Sequence, residues 1–600
     1  MERHYQLTVV LVAAIIYLGC IFSPPGLMDD VDAVQAQIAV NMLESGDWVT
    51  ARLNGIAYLE KSPLIYWSMA ASYALFGIYD WAARIPLALS VVLLCWVTAR
   101  FARWAFDELT GLYAGLILAS CIGLWLFTRI QIPDAMLTGT ITLSMWAFLR
   151  AMEGERRWAL VMWAAMGTGL LLKGLIAMVF PLAAVFLWMT FTGSWSEWRR
   201  LRPVAGIMLA VLVAAPWHVA AAVTNPPLFD FTMHSGPGEY HGFFWFYFFN
   251  EHVFRFLNMR WPRDYNTVSR PLFWLFHLLW LFPWSAFLPG LARLSYRGAN
   301  RAARTRLLCL CWTGFLLTFF TFSTTQEYYS MPCYPALALL IAGVLREGGL
   351  VVTAGRRVVA VLAAIACAAI IAILLRVQGI PTPGDISNAL VAQATEAYTL
   401  SLGHMGDLTI EAFAYLRLPL VIAGIAFFVG AVGAWLLRGV RLALALACMM
   451  AIFLHAARVA LITFDPYLGS RILAEAYASA PPGQLIVDNQ YYTFSSVFFY
   501  AGSPRALLLR GRVNNLEYGS YAPDAPDVFL DDETFAERWR SPQRHYLVIE
   551  GPELRRVQKW AGDRRLFLVK ASGGKMLYTN QPLKGFPVPP APVQSPQTKL

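Results

Sequence analysis

Two lysines stand apart in this sequence. Before residue 559 the chain contains only Lys61 and Lys173, against many arginines. An isolated ammonium is a compact point charge suited to an anion such as phosphate. The plainer reading is a lysine reaching from an apolar span to a membrane surface. A second group is acidic: Asp29, Asp30 and Asp32 fall within four residues. Three carboxylates so close repel one another, so they call for a cation, a proton-transfer role or open water. They also suit the first turn of a helix, the plainer reading here. Asp134, directly after Pro133, is either a helix cap or an acid with a function. Arg84, Arg129, His252, Arg255 and Tyr329 complete the candidates, with His252 and Arg255 on one face of any helix that carries both. Glu60 and His252 are possible ligands for a divalent cation (zinc, magnesium or manganese) held jointly with a substrate. Their spacing gives that no support, and a histidine paired with a neighbouring carboxylate is the simpler reading.

The elements that must position these residues are membrane spans. The 600 residues are 58% hydrophobic and only 14% charged, against roughly 25% charge in a soluble domain. The net charge of +10 comes mainly from arginines in short loops between apolar runs. That pattern encodes topology and argues against nucleic acid as a partner. Candidate spans lie at 6–23, 81–101, 110–127, 133–150, 157–174, 175–192, 204–223, 272–291, 306–323, 332–346, 357–376, 417–437 and 441–460, thirteen in all by the 20-residue criterion. The run from Leu7 to Ile21 is read as a retained first helix, since no clear small-residue cleavage site follows it. With the N-terminus inside, every inside loop carries at least two arginines, for example Arg100 and Arg103, or Arg438 and Arg441. The outside segments are then 24–80, 128–132, 173–175, 224–271, 324–331, 377–416 and 461–600, and all the candidate residues fall in them or at their edges. The eight cysteines lie in or beside apolar spans, with no Cys-x-x-Cys pair, so neither a disulfide framework nor a metal knuckle is expected.

The fold expected is therefore mainly α: a polytopic bundle of about thirteen transmembrane helices over 1–460, with interfacial helices in the first outer loop. An amphipathic helix over 33–43, ended by Gly46, is one of these. A small α/β extracytoplasmic domain is expected over 461–585, from strand-like runs such as Tyr546-Leu-Val-Ile-Glu550. A disordered proline-rich tail follows at 586–600. The aromatic run from Phe243 to Phe256 reads as an interfacial belt.

The run Asp-Asp-x-Asp, then Gly46-Asp-Trp-Val-Thr50, Asn54-Gly55 and Tyr58-Leu-Glu-Lys61-x-Pro63-Leu resembles the aminoarabinose transferase and protein O-mannosyltransferase group. These are type C glycosyltransferases that use lipid-linked sugars. Arg129 with Asp134, Lys173-Gly174, Asn250-Glu-His252-x-x-Arg255-Phe256 and Tyr328-Tyr329-Ser-Met-Pro332 also sit where that group has motifs, and the resemblance covers roughly 1–460. It implies a polyprenyl-phosphate sugar donor and an acceptor, glycolipid or protein, on the outer face of the cytoplasmic membrane. It also implies donor-phosphate contacts from Lys61, Arg255 and Tyr329, with Lys173 and Tyr58 beside them. It implies a metal at Glu60 and His252, and acidic cavity residues among Asp29, Asp30, Asp32 and Asp134. Two departures are visible. The group's usual Asp-Glu pair aligns closer to Val31-Asp32 than to Asp29-Asp30, and Gln326-Glu327 stand where many members carry a lysine. A transporter or flippase of lipid-linked sugars is the alternative, and it predicts ionisable groups at the midplane and paired broken helices.

Overall fold

The computed structural model of this chain describes residues 2–263, 267–391, 401–503, 505–562 and 566–583. The proline-rich tail at 586–600 lies outside the described residues. The architecture is mainly helical, with one six-stranded sheet near the C-terminal end.

Among the described residues eight helices are long and apolar enough to cross a membrane, and a ninth crossing arises if the bent pair Arg270–Trp280 and Trp284–Arg293 counts as one. Several of them turn apolar side chains outward: Val204, Ile207, Met208, Val211 and Leu212 on Pro203–Thr224, and Leu362 and Ile365 on Leu350–Val377, are exposed. Apolar surface of this kind on helices of spanning length suits contact with lipid. The expected spans at 110–127 and 272–291 are each broken. The first divides into Glu108–Ala119 and Ile122–Phe127, with Ser120 between them bonding back to the Leu116 carbonyl and accepting from Trp284 Nε1 at 3.0 Å. The second bends by 105° beside Pro283, which has no N–H to continue a helix.

The arginine loops meet one another. Arg301 pairs with Glu153, Arg346 with Asp107, Arg306 with Glu347 and Arg103 with Glu108. The segments expected on the other side also meet, through the contacts described below.

The C-terminal region is built on the strands β3 (Gln484–Asp488), β4 (Leu507–Leu509), β5 (Phe529–Leu530), β6 (His545–Glu550), β7 (Phe567–Ser572) and β8 (Lys575–Thr579), after a small hairpin in the first loop, β1 (Arg52–Leu53) with β2 (Ile56–Ala57). The sheet order is β5-β4-β3-β6-β8-β7, parallel from β5 through β6 and antiparallel beyond. Strand order reverses between β3 and β6, so a crevice opens at their carboxyl ends, where Asp488 and Glu550 stand.

This sheet shares a core with the first loop. One buried cluster joins Leu27, Val34, Ile38, Leu53, Ile56 and Tyr66 to Leu485, Val487, Phe494, Phe498 and Val548. The helix Val31–Ser45 accordingly departs from the expectation of an interfacial helix with an open polar face. Its residues from Asp32 to Val40 are all buried, Gln35 and Gln37 included, because the C-terminal region covers the side that was read as polar. Gly46 does cap it in the left-handed conformation, φ 72°.

Candidate active site at the junction of outer segments

The three acids of the first loop are separated by their partners. Asp32 is 1% exposed and uses both oxygens: Oδ2 accepts from Arg84 at 3.1 Å and Met28 N at 3.2 Å, and Oδ1 from Gln131 N at 3.1 Å. Burial raises its carboxyl above the ordinary value, against the pull of Arg84 and those two N–H groups. Asp29 is equally committed. Its Oδ2 accepts from Lys575 Nζ and Ser470 Oγ, both at 2.6 Å, and its Oδ1 accepts from Ser496 N at 2.9 Å and Oγ at 2.8 Å. Asp30 is the exposed member. Its backbone is in a region that side chains rarely adopt, φ 75° and ψ −147°, where it caps Val31–Ser45. Residues held in such conformations cluster where geometry matters to function.

The basic groups gather around buried carboxylates. Lys173 Nζ donates to Asp134 Oδ1 at 2.5 Å and lies 5.0 and 4.9 Å from the ring centres of Tyr328 and Tyr329. Glu251 bridges two arginines, accepting from Arg255 at 2.7 Å and from Arg260. Arg260 reaches on to Glu60 Oε1 at 3.0 Å, and Lys61 stands 3.7 Å from Glu60 Oε2. Burial works against the Glu251 carboxylate, but Arg260, Arg255 and Lys61 hold its pKa down to about 2. Lys61, Lys173 and Arg255 keep 21%, 17% and 17% of their side-chain surface open, whereas Arg260 keeps none. The first three can therefore meet an anion, and Arg260 ties the acids together. Tyr58 is buried and donates to Glu60 Oε2 at 2.9 Å while accepting from Tyr492 OH at 3.1 Å. It is placed to orient Glu60. Arg129 is buried over the Trp125 ring, and its carbonyl accepts from Arg84.

The expected metal pair does not fit an ion in this arrangement. Glu60 is engaged by Arg260 and Tyr58, and both His252 nitrogens are used. Nδ1 donates to the Tyr247 carbonyl at 2.6 Å, and Nε2 accepts from Leu175 N at 3.1 Å. Burial holds this imidazole below its ordinary pKa, in keeping with a neutral ring. Among the described residues no three His, Cys, Asp or Glu side chains come close enough to share an ion. His252 and Arg255 also point to different partners, because Trp245–Phe254 follows a π-helical path that rotates the expected common face. Of the aromatics around them, Phe243, Trp245, Phe246, Tyr247 and Phe254 are buried with Trp217, Leu59 and Tyr518, while Phe256 is exposed.

Arg260, Tyr492, Lys575 and the serines 495 and 496 carry no motif or spacing that marks them in the sequence. Gln131 escaped notice as well. It is 1% exposed, and neither atom of its buried amide has a hydrogen-bond partner among the described residues.

Comparison with known proteins bears on this arrangement. The family model described as dolichyl-phosphate-mannose-protein mannosyltransferase matches residues 60–219. An undecaprenyl phosphate-alpha-4-amino-4-deoxy-L-arabinose arabinosyl transferase of Pseudomonas aeruginosa is 31% identical over 358 residues, 58% of this chain and 60% of that protein. The enzyme of the same name from Erwinia tasmaniensis is 28% identical over 321 residues, 51% of this chain and 53% of that protein. The chain thus spans about half the length of the curated relatives it matches. The fold extends further: a crystal structure of ArnT from Cupriavidus metallidurans bound to undecaprenyl phosphate superposes with a TM-score of 0.76 at 21% identity, covering 96% of this chain and 98% of that one. The resemblance carried by the sequence motifs is matched by relatives in sequence and by a shared fold.

Proposed function

We propose, from its similarity to the aminoarabinose transferases in sequence and fold, that this chain is an integral membrane glycosyltransferase. It moves a sugar from a polyprenyl-phosphate donor to an acceptor, a lipid A-like glycolipid or a protein, at the outer face of the cytoplasmic membrane. The observation that carries the reading is the grouping of partly open cations, Lys61, Lys173 and Arg255, around buried acids beside Tyr329, with the exposed Asp30 in the adjoining loop. A membrane-soluble donor with an anionic head needs such cations. The names of the relatives, which specify undecaprenyl phosphate and aminoarabinose, support the same class of donor.

In this reading an acceptor oxygen attacks the anomeric carbon. The bond from that carbon to the phosphate oxygen breaks, its electron pair stays on the phosphate, and polyprenyl phosphate leaves. Lys61, Lys173 and Arg255 stabilise the charge that grows there. Asp30 takes the proton of a hydroxyl acceptor, or orients an acceptor that is already anionic. Attack opposite the leaving group inverts the anomeric centre. No step runs through a metal. The topology proposed with it has thirteen crossings, the N-terminus in the cytoplasm and the region after 461 outside, supported by the arginine loops that meet at one end.

A flippase reading draws on the two broken spans, at Ser120 and at the 105° bend beside Pro283. Such carriers also place their charge at the midplane, whereas Lys61, Lys173, Arg255, Asp30 and Asp134 stand in loops or at helix ends. The test is an assay of the purified protein with polyprenyl-phosphate sugars and candidate acceptors. Sugar on the acceptor together with free polyprenyl phosphate is the expected result. Movement of intact donor across vesicles without transfer would overturn the proposal.

A further inference from the structure

The acid turn of the first loop is held by side chains and backbone of the C-terminal region. Lys575 opens β8 directly across from Glu550, at the carboxyl end of β6, and reaches Asp29 at 2.6 Å, the Gly469 carbonyl at 3.1 Å and Ser470 Oγ at 3.3 Å. Ser496, beyond the end of β3, gives Asp29 two more bonds. The next residue is held by its backbone: Asp30 N donates to the Tyr492 carbonyl at 2.8 Å, and the Asp30 carbonyl accepts from Ser495 Oγ at 3.0 Å. At the carboxyl ends of β3 and β6, Asp488 pairs with Arg556, and Glu550 stands across from Lys575, the residue that holds Asp29.

These contacts have a conformational consequence. Asp30 adopts φ 75°, which a residue with a Cβ avoids unless its surroundings impose it. Its neighbours supply the constraint from both sides. Asp29 is anchored by four donors just before it, and Asp32 by Arg84, Met28 N and Gln131 N just after it. The first set belongs entirely to the C-terminal region and the second to the membrane part. Asp30 therefore stands at a seam, its backbone held by the C-terminal region and flanked on the other side by a residue tied to the membrane part.

We propose that the C-terminal region is a positioning element of the catalytic centre, and that Lys575 and Ser495 act through Asp29 and the Asp30 backbone to aim the Asp30 carboxylate. The inference rests on the reading of Asp30 as the acid that serves the acceptor. It assigns the region after 468 a part in turnover, beyond cover for the membrane helices. Lys575 and Ser495 touch no substrate in this account.

The experiment compares full-length Lys575→Met, Lys575→Arg, Ser495→Ala and Asp30→Asn proteins in detergent, with a polyprenyl-phosphate sugar as donor and thermal unfolding recorded for each. Lys575→Met and Ser495→Ala are expected to lower kcat by about 10- to 100-fold, the scale of a misplacement near 1 Å. Donor KM should stay within about twofold, because the cations that hold the phosphate lie elsewhere. Lys575→Arg should recover part of the rate. Combined with Asp30→Asn, Lys575→Met should bring no further loss. Unchanged kcat in Lys575→Met and Ser495→Ala, beside an inactive Asp30→Asn, overturns this inference and leaves the proposed function standing. An equal added loss in the Asp30→Asn background also overturns it, since that marks a merely structural role. Full activity of Asp30→Asn itself would remove the reading of the site and the inference with it.

Discussion

Asp30 and Glu251 are given different roles in the proposed site. Asp30 is exposed on a strained backbone and is assigned the chemistry. Asp30→Asn should lower turnover by about 10²–10⁴-fold, the usual contribution of a positioned base, with donor binding intact. Steady-state kinetics on the purified variant checks this. Glu251 is buried between Arg260 and Arg255 and keeps order. Its folded pKa, about 2, lies below the ordinary carboxylate value. Its contribution to stability is therefore complete above about pH 4.5 and is lost as pH falls toward 2. Thermal unfolding between pH 6 and pH 3 should lose more stability in the native protein than in Glu251→Gln. Arg260→Ala leaves two carboxylates, Glu60 and Glu251, without their shared cation. Removing one partner of a buried pair costs about 3–5 kcal/mol, so this variant should unfold at a clearly lower temperature.

At the level of elements, much was readable in the sequence and the remainder failed for identifiable reasons. The lone lysines and the arginine loops marked the two ends of the bundle, because charge is costly inside the bilayer and so collects at the boundaries of the spans. The span pattern marked most helices but missed the breaks at Ser120 and Pro283, since hydropathy does not register a turn inside an apolar run. The polar face of Val31–Ser45 was readable, but its cover was not, because Leu27 and Val548 meet only through tertiary packing. The separation of Asp29, Asp30 and Asp32 was equally hidden: Asp32 and Asp29 acquired partners 52, 467 and 546 positions away, from different elements. One turn carries its own test. Gly174 sits at φ 68°, and a Cβ there would lie 2.2 Å from His252 Nε2 and 2.7 Å from Tyr247 OH. Gly174→Ala should displace His252 from Leu175 N and shift the turn that carries Lys173. We expect a less stable protein with weaker donor binding, read by unfolding temperature and donor KM.

Across the whole molecule, the C-terminal region behaves as a clamp. It grips the first loop through Asp29 and the shared core, and it grips the stretch before the π-helical segment through Tyr518. That ring stacks on Phe246 at 4.2 Å, while its hydroxyl accepts from His241 N and donates to the Gly242 carbonyl. Gly519 passes so close to the hairpin that a Cβ would fall 2.0 Å from the Ala57 carbonyl. Truncation after Leu468 would expose Val34, Ile38 and Leu53 and release both segments. Size-exclusion chromatography should then show an aggregated protein, and transfer activity should be absent.

The account depends on one outer pocket in which cations hold the lipid phosphate while Asp30 serves the acceptor. Its most direct test is the kinetic contrast between Lys61→Ala and Asp30→Asn on a polyprenyl-phosphate sugar. Donor KM should rise roughly ten- to a hundredfold in the first, the scale of a lost charge-assisted contact, and kcat should collapse at near-native donor KM in the second. Native kcat and donor KM in both variants would contradict it.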